Sequence, residues 1–134
     1  MTLTDTERDI LIKYRIEQAH ESIEDVRFLI DGNKLKIAVK QIYYGMFYIL
    51  CSLALKHRFK TSKHKELIGW FNKTFIKDQK IDRKYGAIIY AAFEYRSDSD
   101  YGVMTKFERA EVEKMFEKMK DFINAIERLI QEGP

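Results

Sequence analysis

Proline is all but missing from this chain, one residue in 134, and glycine is held to six. With 46% hydrophobic residues beside so few chain breakers, the composition excludes a disordered or fibrous protein and leaves long helices free to run. Cysteine is reduced to Cys51, which has no partner for a disulfide. It lies inside an apolar run and is expected to act as a small buried hydrophobe, because a reactive thiolate needs an electropositive, accessible site. Strand-like alternation, internal repeats and linkers are also missing. No secretion signal is readable, since the N-terminus is polar and acidic by Asp5, Glu7 and Asp9. The expectation is a reduced, cytoplasmic location and one helical domain over residues 1–134, large enough to bury a core unaided.

What is present is ordered around Leu35 to Lys56. Between Gln41 and Leu55 charge disappears, and nearly every position is apolar or aromatic. A helix apolar on all sides is one surrounded by other helices or by lipid. At 1.5 Å per residue the uncharged run rises only about 22 Å, against roughly 30 Å of bilayer core. The spacing therefore predicts the central helix of a small bundle, with no membrane partner.

The net charge of +3 conceals an asymmetry. Ten basic and three acidic residues stand between Lys56 and Lys84, so that segment carries +7 and the rest of the chain −4. Such a stripe suits a surface facing a polyanion. A solvated loop and helix face would carry it equally well.

Around the central helix the chain reads as an all-α, up-and-down bundle. Thr4 to Glu7 form a capping box, opening a helix to about Ile30 that Asp31-Gly32-Asn33 closes. Ile12, Ile16, Ala19, Ile23, Val26 and Ile30 make its seam, so the first two helices should form a hairpin. Ser62 is expected to cap a short third helix with Leu67, Ile68, Phe71 and Phe75 on one face. Trp70 lies off that stripe, either at the bundle edge or as an exposed contact. A fourth helix from about Arg83 carries Tyr85, Ile88, Ala92 and Tyr95, and Arg96 to Gly102 should form a polar turn. Thr105 and Glu108 predict a second capping box for a last helix to about Gln131, whose stripe includes Val112, Met115, Met119, Phe122, Ile126 and Leu129.

Three pieces of this layout occur together and in order between Arg8 and Leu129. Tyr43-Tyr44-Gly45-Met46-Phe47 stands in the central helix, Lys63-His64-Lys65-Glu66-Leu67 opens the short one, and Arg96-Ser97-Asp98-Ser99-Asp100-Tyr101 precedes the last. Together they resemble the HEPN domain family: its Tyr-Tyr-Ala-Met-Phe run, its lysine-histidine entry and its arginine-acidic-tyrosine turn. The resemblance implies a four-helix up-and-down bundle with an additional short helix, working as a homodimer. Many HEPN proteins are metal-independent ribonucleases. Others bind nucleotides, or pair with a separately encoded minimal nucleotidyltransferase as toxin and antitoxin. The family's nuclease motif is an arginine followed after four to six residues by a histidine, two copies meeting across the dimer at one phosphodiester.

Here the sequence departs, because Arg96 is followed at the fifth position by Tyr101 and no histidine occurs after His64. An imidazole can accept a proton from a ribose hydroxyl near neutral pH. A phenol, with an ordinary pKa of about 10, would need a large downward shift. Arg96 can still hold a phosphate with its forked donors.

Arg96 is the leading site candidate, with a second reading as a C-terminal helix cation pairing Asp98, Asp100 or the dipole. Tyr101 is either its catalytic companion or a ring packed over the bundle end. His64, with Lys63 beside it, could bring an imidazole or a phosphate contact from another element, or merely start its helix. Tyr43 and Tyr44 serve core packing or line a cleft between protomers, Tyr44 being the substrate-binding candidate. Asp98 is a further substrate-binding candidate, or serves with Asp100 in the turn and cap. The two lack further ligands for a cation, and His20 and His57 have no partners at zinc spacing, so no metal or cofactor is expected. No Gly-rich phosphate loop or nucleophile elbow occurs.

Three functions follow. The first is a HEPN-like protein that binds nucleotide or RNA phosphate near Arg96, with a minimal nucleotidyltransferase partner and weak or absent catalysis. The second is a metal-independent endoribonuclease in which Tyr101 or His64 replaces the missing base. The third is a helical interaction module.

Overall fold

The first helix, α1 (Asp5–Asp31), begins as its capping box requires. The Glu7 amide donates to the Thr4 hydroxyl, and the Thr4 amide donates to the Glu7 carboxylate. At its far end the Gly32 amide donates to the Phe28 carbonyl, and Asn33 takes the left-handed conformation (φ 59°) that asparagine tolerates. The chain thus reverses into α2 (Leu35–Lys56). The computed structural model describes residues 2–101 and 106–132, the side chains at 98, 100 and 101 excepted, and within them there is no strand.

Helix α2 packs against α1, α3 (His64–Phe71), α4 (Lys84–Tyr101) and α5 (Arg109–Gln131). At 22 residues it is long and apolar enough to cross a membrane, so its length does not exclude a span. Burial supports the core reading: 61% of its apolar window lies inside the bundle. Gly45 is where three helices meet. A Cβ there would lie 2.3 Å from Met119 Cε on α5 and 3.0 Å from Ser22 Cβ on α1. At the C-terminal end of α2 the Lys56 ammonium donates to the Ile130 carbonyl near the end of α5.

Four local expectations need correction. Lys63, not Ser62, is the N-cap of α3; Thr61 takes the capping work, accepting from the Lys63 amide and donating to Glu66. From Phe71 the helix runs straight into a π-helical turn over Asn72–Ile76. On α4 Tyr85 and Ala92 are buried as expected, but the fully buried residue between them is Ile89, with Ile88 only half-buried, and Tyr95 is 38% exposed. Finally, Arg96 to Tyr101 stay helical instead of turning. Ser99 explains this: it is buried, and its hydroxyl donates to the Lys36 carbonyl on α2, so a tertiary contact outweighs its turn preference.

Helix α5 is capped by Glu108, whose carboxylate accepts from the backbone while its own amide donates to Glu111. The expected cap at Thr105 lies outside the described residues. Between α4 and α5 a groove of about 460 Å³ opens over Val39, Ile42 and Met46 of α2, with Lys114 and Lys118 on one wall.

Candidate functional site

Tyr43 and Phe47 are one turn apart on α2, so both rings leave the helix on the same side. Tyr43 is fully buried there, and the start of α3 sets His64 against it. The Tyr43 hydroxyl lies 2.7 Å from His64 Nδ1. The imidazole stacks on Phe47 with centroids 4.0 Å apart and planes within 9°. Tyr44 stands edge-on to His64 at 6.2 Å and to Tyr43 at 5.4 Å.

Helix α4 closes the corner from the other side. Its Arg96 guanidinium carbon lies 5.4 Å from the Tyr43 ring centre and 5.3 Å from that of Phe93, one turn earlier on the same helix. A cation over aromatic faces is attracted by the ring quadrupole and keeps a defined position. Because α4 continues to Tyr101, Arg96 lies more than a turn before the helix end, and its recorded aromatic contacts are with α2 and its own helix.

Electrostatics fix the protonation states. Burial, and then the Arg96 charge, hold His64 below its usual 6.5. Burial pushes the Tyr43 phenol above its usual 10, against the pull of Arg96. At neutral pH the corner thus contains a neutral imidazole, an un-ionised phenol and a permanent cation. Cys51 stays apart from this chemistry, its thiol pushed up to about 11 by burial.

The structure brings together Arg96, His64 and Tyr44 of the expected residues. Lys63 sits at the α3 N-cap, exposed and 3.6 Å from Glu66. Asp98 and Tyr101 lie on the last turns of α4, their side chains outside the described residues. Phe47 and Phe93 also belong to this corner, though nothing in their sequence spacing assigns them to it, and Tyr43, for which core packing and a cleft were both open, lies at its centre. The four-residue spacing of Tyr43 and Phe47 was a signal for a shared face, though not for what that face would meet. Trp70 stacks on Phe59 at 4.9 Å and 8°, packing at the bundle edge. Among the described residues no three His, Cys, Asp or Glu side chains gather as metal ligands would.

Fold and corner together define an all-helical bundle with an arginine, an imidazole and a phenol assembled where α2, α3 and α4 meet. A family model described as HEPN domain matches residues 12–129, and the chain belongs to that family. It is 33% identical over 126 residues to the "UPF0332 protein" of Thermotoga maritima, covering 94% of this chain and 96% of that relative. It is also similar to two Methanocaldococcus jannaschii proteins. "Putative toxin MJ0142" is 30% identical, with 86% of this chain and 78% of that relative covered. "Putative toxin MJ0605" is 26% identical, with 90% of each covered.

Proposed function

We propose that this HEPN protein binds the phosphate of RNA or of a nucleotide at the Arg96 corner. On this reading it is a cytoplasmic homodimer, the HEPN member of a toxin–antitoxin-type pair with a minimal nucleotidyltransferase, and its own catalysis is weak or absent. One observation carries the reading: the Arg96 guanidinium lies over the ring whose hydroxyl holds His64. That arrangement offers a forked cation beside a neutral imidazole, the donors that a phosphate oxygen takes. The toxin names of two relatives support the context.

The test is binding of a fluorescent RNA oligonucleotide by wild type and Arg96→Ala across a salt series. A phosphate ligand lost with Arg96 weakens binding about tenfold and flattens the salt dependence. Equal binding by wild type and an Arg96→Ala, Tyr101→Phe double variant removes the site. Co-purification with a co-expressed minimal nucleotidyltransferase tests the partner.

A second reading is a metal-independent endoribonuclease. It is favoured by the imidazole that α3 brings to Arg96, since His64 is then available in place of the missing motif histidine. RNA cleavage in EDTA that disappears in both Arg96→Ala and His64→Ala would support it.

A further inference from the structure

Which edge of His64 carries its proton decides whether the corner can accept a proton or only donate, and Tyr43 governs that choice. A neutral imidazole has one N–H and one lone pair. The Tyr43–His64 contact at 2.7 Å can therefore be made in two ways. If Nδ1–H donated to the phenol oxygen, the phenol proton would need a second acceptor. Tyr43 is fully buried and makes no other hydrogen bond among the described residues. That proton would then be desolvated without a partner, which buried hydroxyls rarely tolerate. If the phenol donates to Nδ1, both buried groups are satisfied, and the imidazole proton is left on Nε2.

We infer that Tyr43 is a positioning residue which donates to His64 Nδ1, so that His64 offers Nε2–H as a second donor beside Arg96 for one phosphate oxyanion. The Phe47 stack holds the ring plane, and Tyr44 bounds its edge. With this tautomer no lone pair is left on Nε2, so His64 cannot take a ribose proton through that atom. The family's nuclease chemistry needs an accepting imidazole; this corner is built from donors. For its ligand the inference rests on the phosphate reading above, whereas its account of the Tyr43–His64 pair does not.

Long-range proton–nitrogen NMR on the nitrogen-15-labelled protein at neutral pH reads the tautomer directly. The expected result for His64 is an unprotonated Nδ1 and a protonated Nε2. The reverse assignment in wild type overturns the inference. Tyr43→Phe keeps the ring under Arg96 and removes only the donated proton. It should mix the two tautomers and weaken binding of the fluorescent RNA oligonucleotide about threefold to tenfold. An unchanged tautomer in that variant, folded by circular dichroism, also overturns it. His64→Gln places an amide donor near the Nε2 position and should retain binding that His64→Ala loses; equal loss in both counts against the donor role. If the expected tautomer is found while Arg96→Ala binds RNA as tightly as wild type, the phosphate reading fails and the positioning role of Tyr43 stands.

Discussion

Gly45 and Tyr43 are two residues apart on α2 and face opposite demands. At Gly45 two other helices come so close that a single added carbon would press on Met119 and Ser22. At Tyr43 the same helix gives up aliphatic packing for a phenol, an imidazole and a guanidinium. The first side settles where helices sit, and the second settles which charges and protons meet. A polar corner keeps its geometry here because the rigid apolar side has already fixed the helices that carry it.

The comparison breaks most easily on the apolar side. Phe122 on α5 is fully buried, edge-on to Phe71 and Tyr85. Phe122→Ala should cost about 3–5 kcal/mol in urea unfolding through the cavity that it leaves. Gly45→Val comes next, at about 1–3 kcal/mol, since Met119 must move aside and Ser22 cannot easily follow. On the polar side Arg96→Ala should leave stability within about 1 kcal/mol, the size of its cation–π contacts, while RNA binding falls about tenfold. A loss of stability as large as that of Phe122→Ala would make Arg96 a structural residue and erase the contrast.

Acid should produce the smallest effect. His64 and His57 both titrate below their usual 6.5 in the folded protein, His64 through burial and Arg96, His57 through burial and the nearby Lys56 and Lys80. The unfolded chain therefore binds those protons first, and stability rises with pH across that window. Their contribution is complete above about 6.5 and is lost as pH falls through the lower folded values. Thermal melts from pH 7.5 to 5 should decline, and less steeply in a His57→Gln, His64→Gln variant.

Much of the scaffold was readable because its signals are local. The Thr4–Glu7 box, the Gly32–Asn33 stop and the stripe of α5 each declare themselves within a few residues. The end of α4 was misread because Ser99 meets the Lys36 carbonyl, 63 residues away, and no local pattern contains that contact. Ile88 and Ile89 are equally apolar, so only the packed helix shows which one is fully buried. The site was half legible. Arg96, His64 and Tyr44 were singled out as residues, yet the Tyr43–His64 bond spans 21 positions and joins two helices. Proton placement of that kind comes from burial, which sequence spacing does not carry.

The wide turn after α3 has a bearing on how this chain can vary. There the Lys77 amide reaches back five residues to the Asn72 carbonyl, so one turn holds a residue more than an α-helical turn would. Deleting a residue between 72 and 76 would regularise the backbone but rotate everything beyond it by about 100°. Phe75 would swing off Phe71 and Trp70, and the oxygen of Asn72 would leave the face of Gly86, where a Cβ would come within 2.8 Å of it. Length changes should therefore accumulate in the connector at 57–63, while the turn at 72–76 keeps a fixed count as the phase setting between the two halves of the chain.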